Sequence, residues 1–438
     1  MEPFEKKDGR FWNFPENGAI LKKAYLEKIW ETKTAGGETM KERLAEGLRI
    51  LRLLPKAVAN SVKKQTAEQR RKRILELCGA ALVIALVLGT VLVFLNRGGA
   101  ETQEPPETAA PAMVRVSVLP EIKKPVSITL SFAGDCTLGT DKSFGYAGSF
   151  PEMYDVQGAG YFLGNVREIF EADDLTVVNF EGTLTESDQR AEKKWAFKGP
   201  KEYVEILTSA SVEAANLANN HTCDYGEESF SDTHGTLAEA GITPFGFEET
   251  AVIDVKGVKV GLLGMYTVYE DKTYADQLRA RIKQLQEQGA QVIVANFHWG
   301  LEKGYTPEED QIELAHAAID AGAHLVIGHH PHVLQGVEVY KGRYIVYSLG
   351  NFCFGGNNFP PDFDCMIFQQ TFTVADGSME PETDDRIRVI PCAISSRWDI
   401  NDYRPTPAEG EAETRILEKL RKLSQGLGER NIFEQSPE

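Results

Sequence analysis

Leu325-Val326-Ile327-Gly328-His329-His330-Pro331-His332-Val333-Leu334-Gln335-Gly336 sets an apolar, β-branched run directly before three histidines and a proline. The chain has 8 histidines among 438 residues, and none precedes His221. A short apolar run bounded by glycine predicts a buried strand, and polar groups just past its end predict a site on the next loop. His330-x-His332 lets two imidazoles point at neighbouring coordination positions. Pro331 stiffens the loop between them, which reduces the entropy lost on binding. The loop reads as a metal-binding corner that groups from other strands must complete.

The same arrangement recurs along the chain. Apolar, β-branched runs predict strands at 128–133, 175–180, 212–217, 258–263, 292–297, 325–328 and 344–349. Six of these deliver polar side chains just past their C-terminal ends: Asp135; Asn179 and Glu181; Asn219, Asn220, His221 and Asp224; His298; the opening stretch; and Asn351. In α/β sheets that edge is where sites assemble. Helix patterns at 161–170, 201–210, 227–240, 274–288 and 307–321 lie between several strands, which predicts an α/β domain with buried strands. Thr306 and Pro307 are the expected start of the last of these helices.

Asp, Glu, Asn and His are the ligand types that suit divalent Mn, Fe, Zn or Mg. Each residue also has an ordinary structural reading. Asp135 fits a turn, Glu181 a solvated loop, Asn219-Asn220 a helix cap and His298 a packed histidine. His234, His316 and His324 read as structural, and Cys136 and Cys223 as packing.

Charge divides the chain. The net charge is -18, yet residues 1–76 carry 18 Lys+Arg against 11 Asp+Glu. Residues 77–95 form an uncharged apolar run, about long enough to cross a bilayer's hydrocarbon core. Arg70-Arg71-Lys72-Arg73 immediately precedes it. The positive-inside rule then predicts a cytoplasmic basic segment (1–76), a transmembrane helix (77–95) and an extracytoplasmic remainder. Prolines across 96–125 predict a linker, 126–400 the α/β domain, and 401–438 a charged, peripheral tail with one helix near 412–423. Cys78 lies in the span and five cysteines follow it, so no disulfide framework is implied. The acidic domain disfavours nucleic acid and repels polyanions at long range.

Gly134-Asp135, Asn179-x-Glu181, Ala218-Asn-Asn-His221-x-x-Asp224-x-Gly226, His298-Trp-Gly300-x-Glu302, Gly328-x-His330-Pro-His332-x-x-Gln335 and Tyr347-Ser-Leu-Gly-Asn-Phe352 occur in this order. Together they resemble the CapA family of capsule-synthesis, or poly-γ-glutamate biosynthesis, proteins over roughly 127–354. The resemblance implies a four-layer αββα metallophosphatase-like sandwich outside a single N-terminal transmembrane helix. It implies one or two divalent ions held by Asp135, Glu181, Asn220, His298, His330 and His332. His221 takes the position of a general-acid histidine, with Asp224 orienting it. Implied partners are the membrane and a poly-γ-glutamate synthase or other envelope machinery. Two departures stand out. Phosphatases begin with Asp-x-His, whereas Cys136 and Thr137 follow Asp135, and Glu181 stands where they carry a bridging Asp. The family also usually has Asp where His324 stands.

Three functions remain open at this point. One is a metal-dependent hydrolase or transferase acting on a phosphoryl or acyl centre, with His221 protonating the leaving group. Another is a non-catalytic accessory of a membrane polymer synthase or exporter. The third is a pure interaction module without metal.

Overall fold

The computed structural model describes residues 125–434, except 270, 376–377 and 380–386. The basic segment, the candidate span and the linker up to 124 lie outside the described residues. Among the described residues, no helix is long and apolar enough to cross a membrane.

The β-branched runs form two sheets. The strands are β1 (Val126–Thr137), β2 (Leu175–Phe180), β3 (Ala214–Asn216), β4 (Thr243–Phe245), β5 (Ala251–Val255), β6 (Val258–Tyr266) and β7 (Val292–His298). They continue with β8 (Leu325–His329), β9 (Val337–Tyr340), β10 (Arg343–Val346), β11 (Asn351–Phe354), β12 (Asp364–Ala375), β13 (Ile387–Ala393) and β14 (Thr406–Pro407). The first sheet runs β14-β13-β12-β1-β2-β3-β4, with β11 also paired to β1. The second runs β9-β10-β8-β7-β6-β5. The neighbours β1 to β4 are parallel, as are β6, β7, β8 and β10. Parallel neighbours need long crossovers, which helices supply.

The helices are α1 (Phe150–Gln157), α2 (Arg167–Glu171), α3 (Val204–Thr208), α4 (Gly226–Glu239), α5 (Tyr274–Glu287), α6 (Glu309–Ala321) and α7 (Glu411–Leu423). Side chains alternate across each strand and so build separate cores. Leu130, Phe132 and Val177 share one core with Leu262, Val294 and Ile327, which joins the two sheets face to face. The opposite face of the first sheet, with Val178 and Phe180, packs on Phe150, Ile206 and Leu237 of the helices. The opposite face of the second sheet, with Ile293 and Val326, packs on Leu278, Ile282 and Ala315. The layers are therefore helices, sheet, sheet, helices. All parallel strands of both sheets end on one side, where the polar strand ends collect.

Several elements differ from expectation. The strand expected at 212–217 is the shorter β3, because Asn216 Oδ1 accepts from Ala218 N at 3.1 Å and turns the chain. The pattern at 161–170 yields only a 3-10 turn and the short α2, interrupted at Gly164. The pattern at 201–210 likewise divides into a 3-10 turn and α3. The cap of α6 is Glu308, not Thr306: Gln311 Oε1 accepts from Glu308 N at 2.8 Å in a reciprocal capping box. The tail is not peripheral. Ile416 and Leu420 of α7 lie at 1% and 0% exposure in the inter-sheet core, and β14 pairs with β13. Arg415 anchors the helix with two bonds of 2.6 Å to Asp364.

Candidate metal centre

The end of β1 places Asp135 by close backbone packing. A Cβ on Gly134 would stand 2.0 Å from Gly350 O, so glycine lets β1 and the chain before β11 meet. Asp135 is fully buried. Its Oδ1 accepts from Asn179 Nδ2 at 2.8 Å, and its Oδ2 lies 3.0 Å from His332 Nδ1. Burial alone would raise its pKa, but the His329 and His332 bonds prevail and hold it well below the usual carboxylate range.

Glu181, just past β2, is the chemical centre of the cluster. It is 1% exposed, and neither carboxyl oxygen has a hydrogen-bond partner. Its Oε1 stands 3.7 Å from His221 Nε2, 3.7 Å from His332 Nε2 and 3.8 Å from His298 Nε2. Burial pushes its pKa up to about 8, against the pull of His332.

His298 ends β7. Its Nε2 lies 2.7 Å from Asn220 Oδ1 and 3.0 Å from His330 Nδ1. A ring nitrogen makes one hydrogen bond, as donor or acceptor, so one of these neighbours is left over. Burial holds His298 well below its usual pKa and takes His330 down to about 4. His332 is opposed by burial, yet Glu181 and Asp135 raise it to about 10. The loop after β8 is strained: His330 has φ 96° and His332 φ 58°. Such conformations cost roughly 1–3 kcal/mol each in a non-glycine residue and persist where surrounding structure enforces them.

His221 and Asp224 form a pair beside Glu181. His221 Nδ1 lies 2.7 Å from Asp224 Oδ2, which also accepts from Phe197 N at 2.6 Å. The Phe197 ring covers the imidazole at 4.7 Å. Burial lowers the His221 pKa, with the Asp224 bond opposing.

All eight site residues expected from the sequence thus lie in one connected cluster. Asp135, Glu181 and His298 form one group of close donor atoms, and Glu181, His330 and His332 another. The donor set fits a divalent ion. Glu181 offers two buried carboxyl oxygens with no hydrogen-bond partner, ringed by imidazole nitrogens at 3.7–3.8 Å, which are the hard-to-borderline donors a divalent ion takes.

Three further residues belong to the site. Asn179 bridges Asp135 and His298, with Nδ2 3.3 Å from His298 Nδ1. His329, in the opening stretch, lies 3.3 Å from Asp135 Oδ1. Lys193 contacts Asp224 at 2.6 Å, and nothing in its polar loop sequence signals this. The other histidines lie elsewhere. His316 pairs with Glu338, His234 pairs with Glu249, and His324 Nδ1 accepts from Ile293 N. Cys136 is fully buried, and burial pushes its thiol up to about 12. Cys223 departs from the packing expectation: it is exposed on the turn after His221.

A mixed α/β domain with a buried carboxylate–imidazole cluster at its strand ends is the class this geometry defines. The chain belongs to the family described as "Bacterial capsule synthesis protein PGA_cap", whose model matches residues 129–356 and so spans the whole cluster. It is similar to the PGA biosynthesis protein CapA of Bacillus subtilis (strain 168), with 32% identity over 249 residues, 52% of this chain and 63% of that protein. The capsule biosynthesis protein CapA of Bacillus anthracis is 31% identical over 253 residues, covering 52% of this chain and 60% of that protein. A probable polyglutamine synthesis accessory protein of Mycobacterium tuberculosis (strain CDC 1551 / Oshkosh) is 27% identical over 211 residues, 41% of this chain and 55% of that protein. The chain therefore spans less than two thirds of the length of the relatives it matches.

Proposed function

We propose that this chain is a membrane-anchored extracytoplasmic protein of poly-γ-glutamate capsule synthesis or export. Residues 77–95 anchor it, and a metallophosphatase-like αββα domain outside the cytoplasm carries a divalent-metal centre. The observation that carries the reading is Glu181, a fully desolvated carboxylate left without a hydrogen bond among three imidazole nitrogens.

Asp135, Glu181, Asn220, His298, His330 and His332 hold one or two ions of Mn, Fe, Zn or Mg. When bound, such an ion polarises a substrate oxygen and lowers the pKa of a bound water. The chain's own residues do the rest. Asp224 accepts from His221 Nδ1, which fixes the tautomer and turns Nε2 towards the cluster. Since burial favours the neutral ring, Nε2 takes the proton released by the attacking water and delivers it to the leaving group. Phe197 keeps bulk water from one side of this ring. The capsule partnership draws on the names of the relatives, and the net charge of -18 opposes a broad polyanion-binding surface.

A second reading, a non-catalytic accessory of the polymer synthase, has its own support. Cys136 and Thr137 follow Asp135, so β1 offers no imidazole of the phosphatase kind. A third is a metal-dependent hydrolase of a phosphoester or envelope substrate unrelated to capsule. Turnover assays on the metal-loaded chain separate them, using phosphodiester, phosphomonoester and γ-glutamyl substrates. Hydrolysis that falls about 100-fold or more in His221→Ala supports catalysis. Metal-loaded protein that turns over none of them supports the accessory role.

A further inference from the structure

The loop between the strands Thr183–Leu184 and Phe197–Gly199 wraps the 220–225 turn. Ser187 Oγ donates to Tyr225 O at 3.1 Å, and Ala191 N donates to Asp224 O at 2.8 Å. Lys193 extends from this loop towards the metal centre. Its Nζ donates to Asp224 Oδ1 at 2.6 Å and to Asn220 O at 2.8 Å, and lies 3.3 Å from His221 Nδ1. The Lys193 side chain is 29% exposed and that of Asp224 only 1%. The charge-assisted bond reaches a buried carboxylate, and losing Lys193 leaves Asp224 buried and short of a counter-charge.

His221 Nδ1 is already committed to Asp224 Oδ2, so the ammonium acts on Asp224 and on the Asn220 carbonyl. Asn220 is also the residue whose side-chain oxygen stands beside His298 Nε2. One ammonium therefore grips the backbone of a ligand residue and the carboxylate that orients the proton carrier.

We propose that Lys193 is a positioning residue, which holds the Asn220 amide and the His221 ring in register with the metal centre. The proposal rests on the metal-centre reading above. Outer partners of metal ligands typically change affinity by about 10–100-fold when removed, because they set the ligands' orientation.

The test uses the full-length chain in detergent, as wild type, Lys193→Met, Lys193→Gln and Lys193→Arg. Each is titrated with manganese chloride by calorimetry and with cobalt chloride by visible absorption. Thermal unfolding of the metal-free forms reports whether each variant folds. The two neutral variants are expected to bind manganese about 10–100-fold more weakly and to show a displaced cobalt band. Lys193→Arg restores a cation with donors and should recover most of the affinity and the wild-type band. Either neutral variant, folded and with wild-type affinity and band, overturns the proposal while the metal centre stands. An arginine variant as weak as the methionine variant also overturns it. Wild type that binds neither ion overturns the metal-centre reading, and the proposal with it.

Discussion

At the scale of single residues, Glu181 is costly without a cation and useful with one. Its pKa in the metal-free fold is about 8, against 4.5 for an ordinary Glu. Between those values the folded chain keeps a proton that the unfolded chain has released. The contribution to stability is then full below about 4.5 and is lost as pH rises through about 8. Glu181→Gln has no such proton to lose. Denaturant unfolding of metal-stripped protein across this window should show wild type losing about 1 kcal/mol or more relative to the variant. Parallel pH profiles would contradict the account. The ligand residues were legible because each follows an apolar run, so strand-end logic places it. Lys193 and Cys223 were not. Lys193 contacts Asp224 across 31 positions, a long-range fact that a polar loop composition does not encode.

At the scale of elements, the buried strands were the most legible part, since β-branched runs have little else to become. The short helices were less so: the 161–170 run carries Gly164 in its middle, and the 201–210 run opens as a 3-10 turn and stops at Thr208. Helix α7 was expected close to its actual bounds, but its burial was hidden by its composition. Ile416 and Leu420 are four positions apart among charged neighbours, so one narrow stripe carries its burial. That stripe closes the core between the sheets. Leu420→Ala should cost about 2–4 kcal/mol in urea unfolding, as for other fully buried leucines. A chain ending at residue 400 should fail to unfold cooperatively. An unchanged midpoint in Leu420→Ala would show that α7 does not share the core.

Across the whole molecule, parallel strands of two facing sheets end on one side, and that shared edge is what gathers residues from Asp135 to His332. The spacing of 197 positions between these two, which lie 3.0 Å apart, shows how much the site depends on the complete fold. The same dependence explains the strained His330 and His332 backbone, which the surrounding strands hold in place. The central claim is that this gathered cluster binds a divalent ion. It is tested most directly by plasma mass spectrometry of the purified full-length chain, as wild type and as the double variant His330→Ala with His332→Ala. The account predicts about one or more Mn, Fe or Zn per wild-type chain, lost in the folded double variant. A folded wild type that holds no metal, even after soaking in each ion, would contradict it.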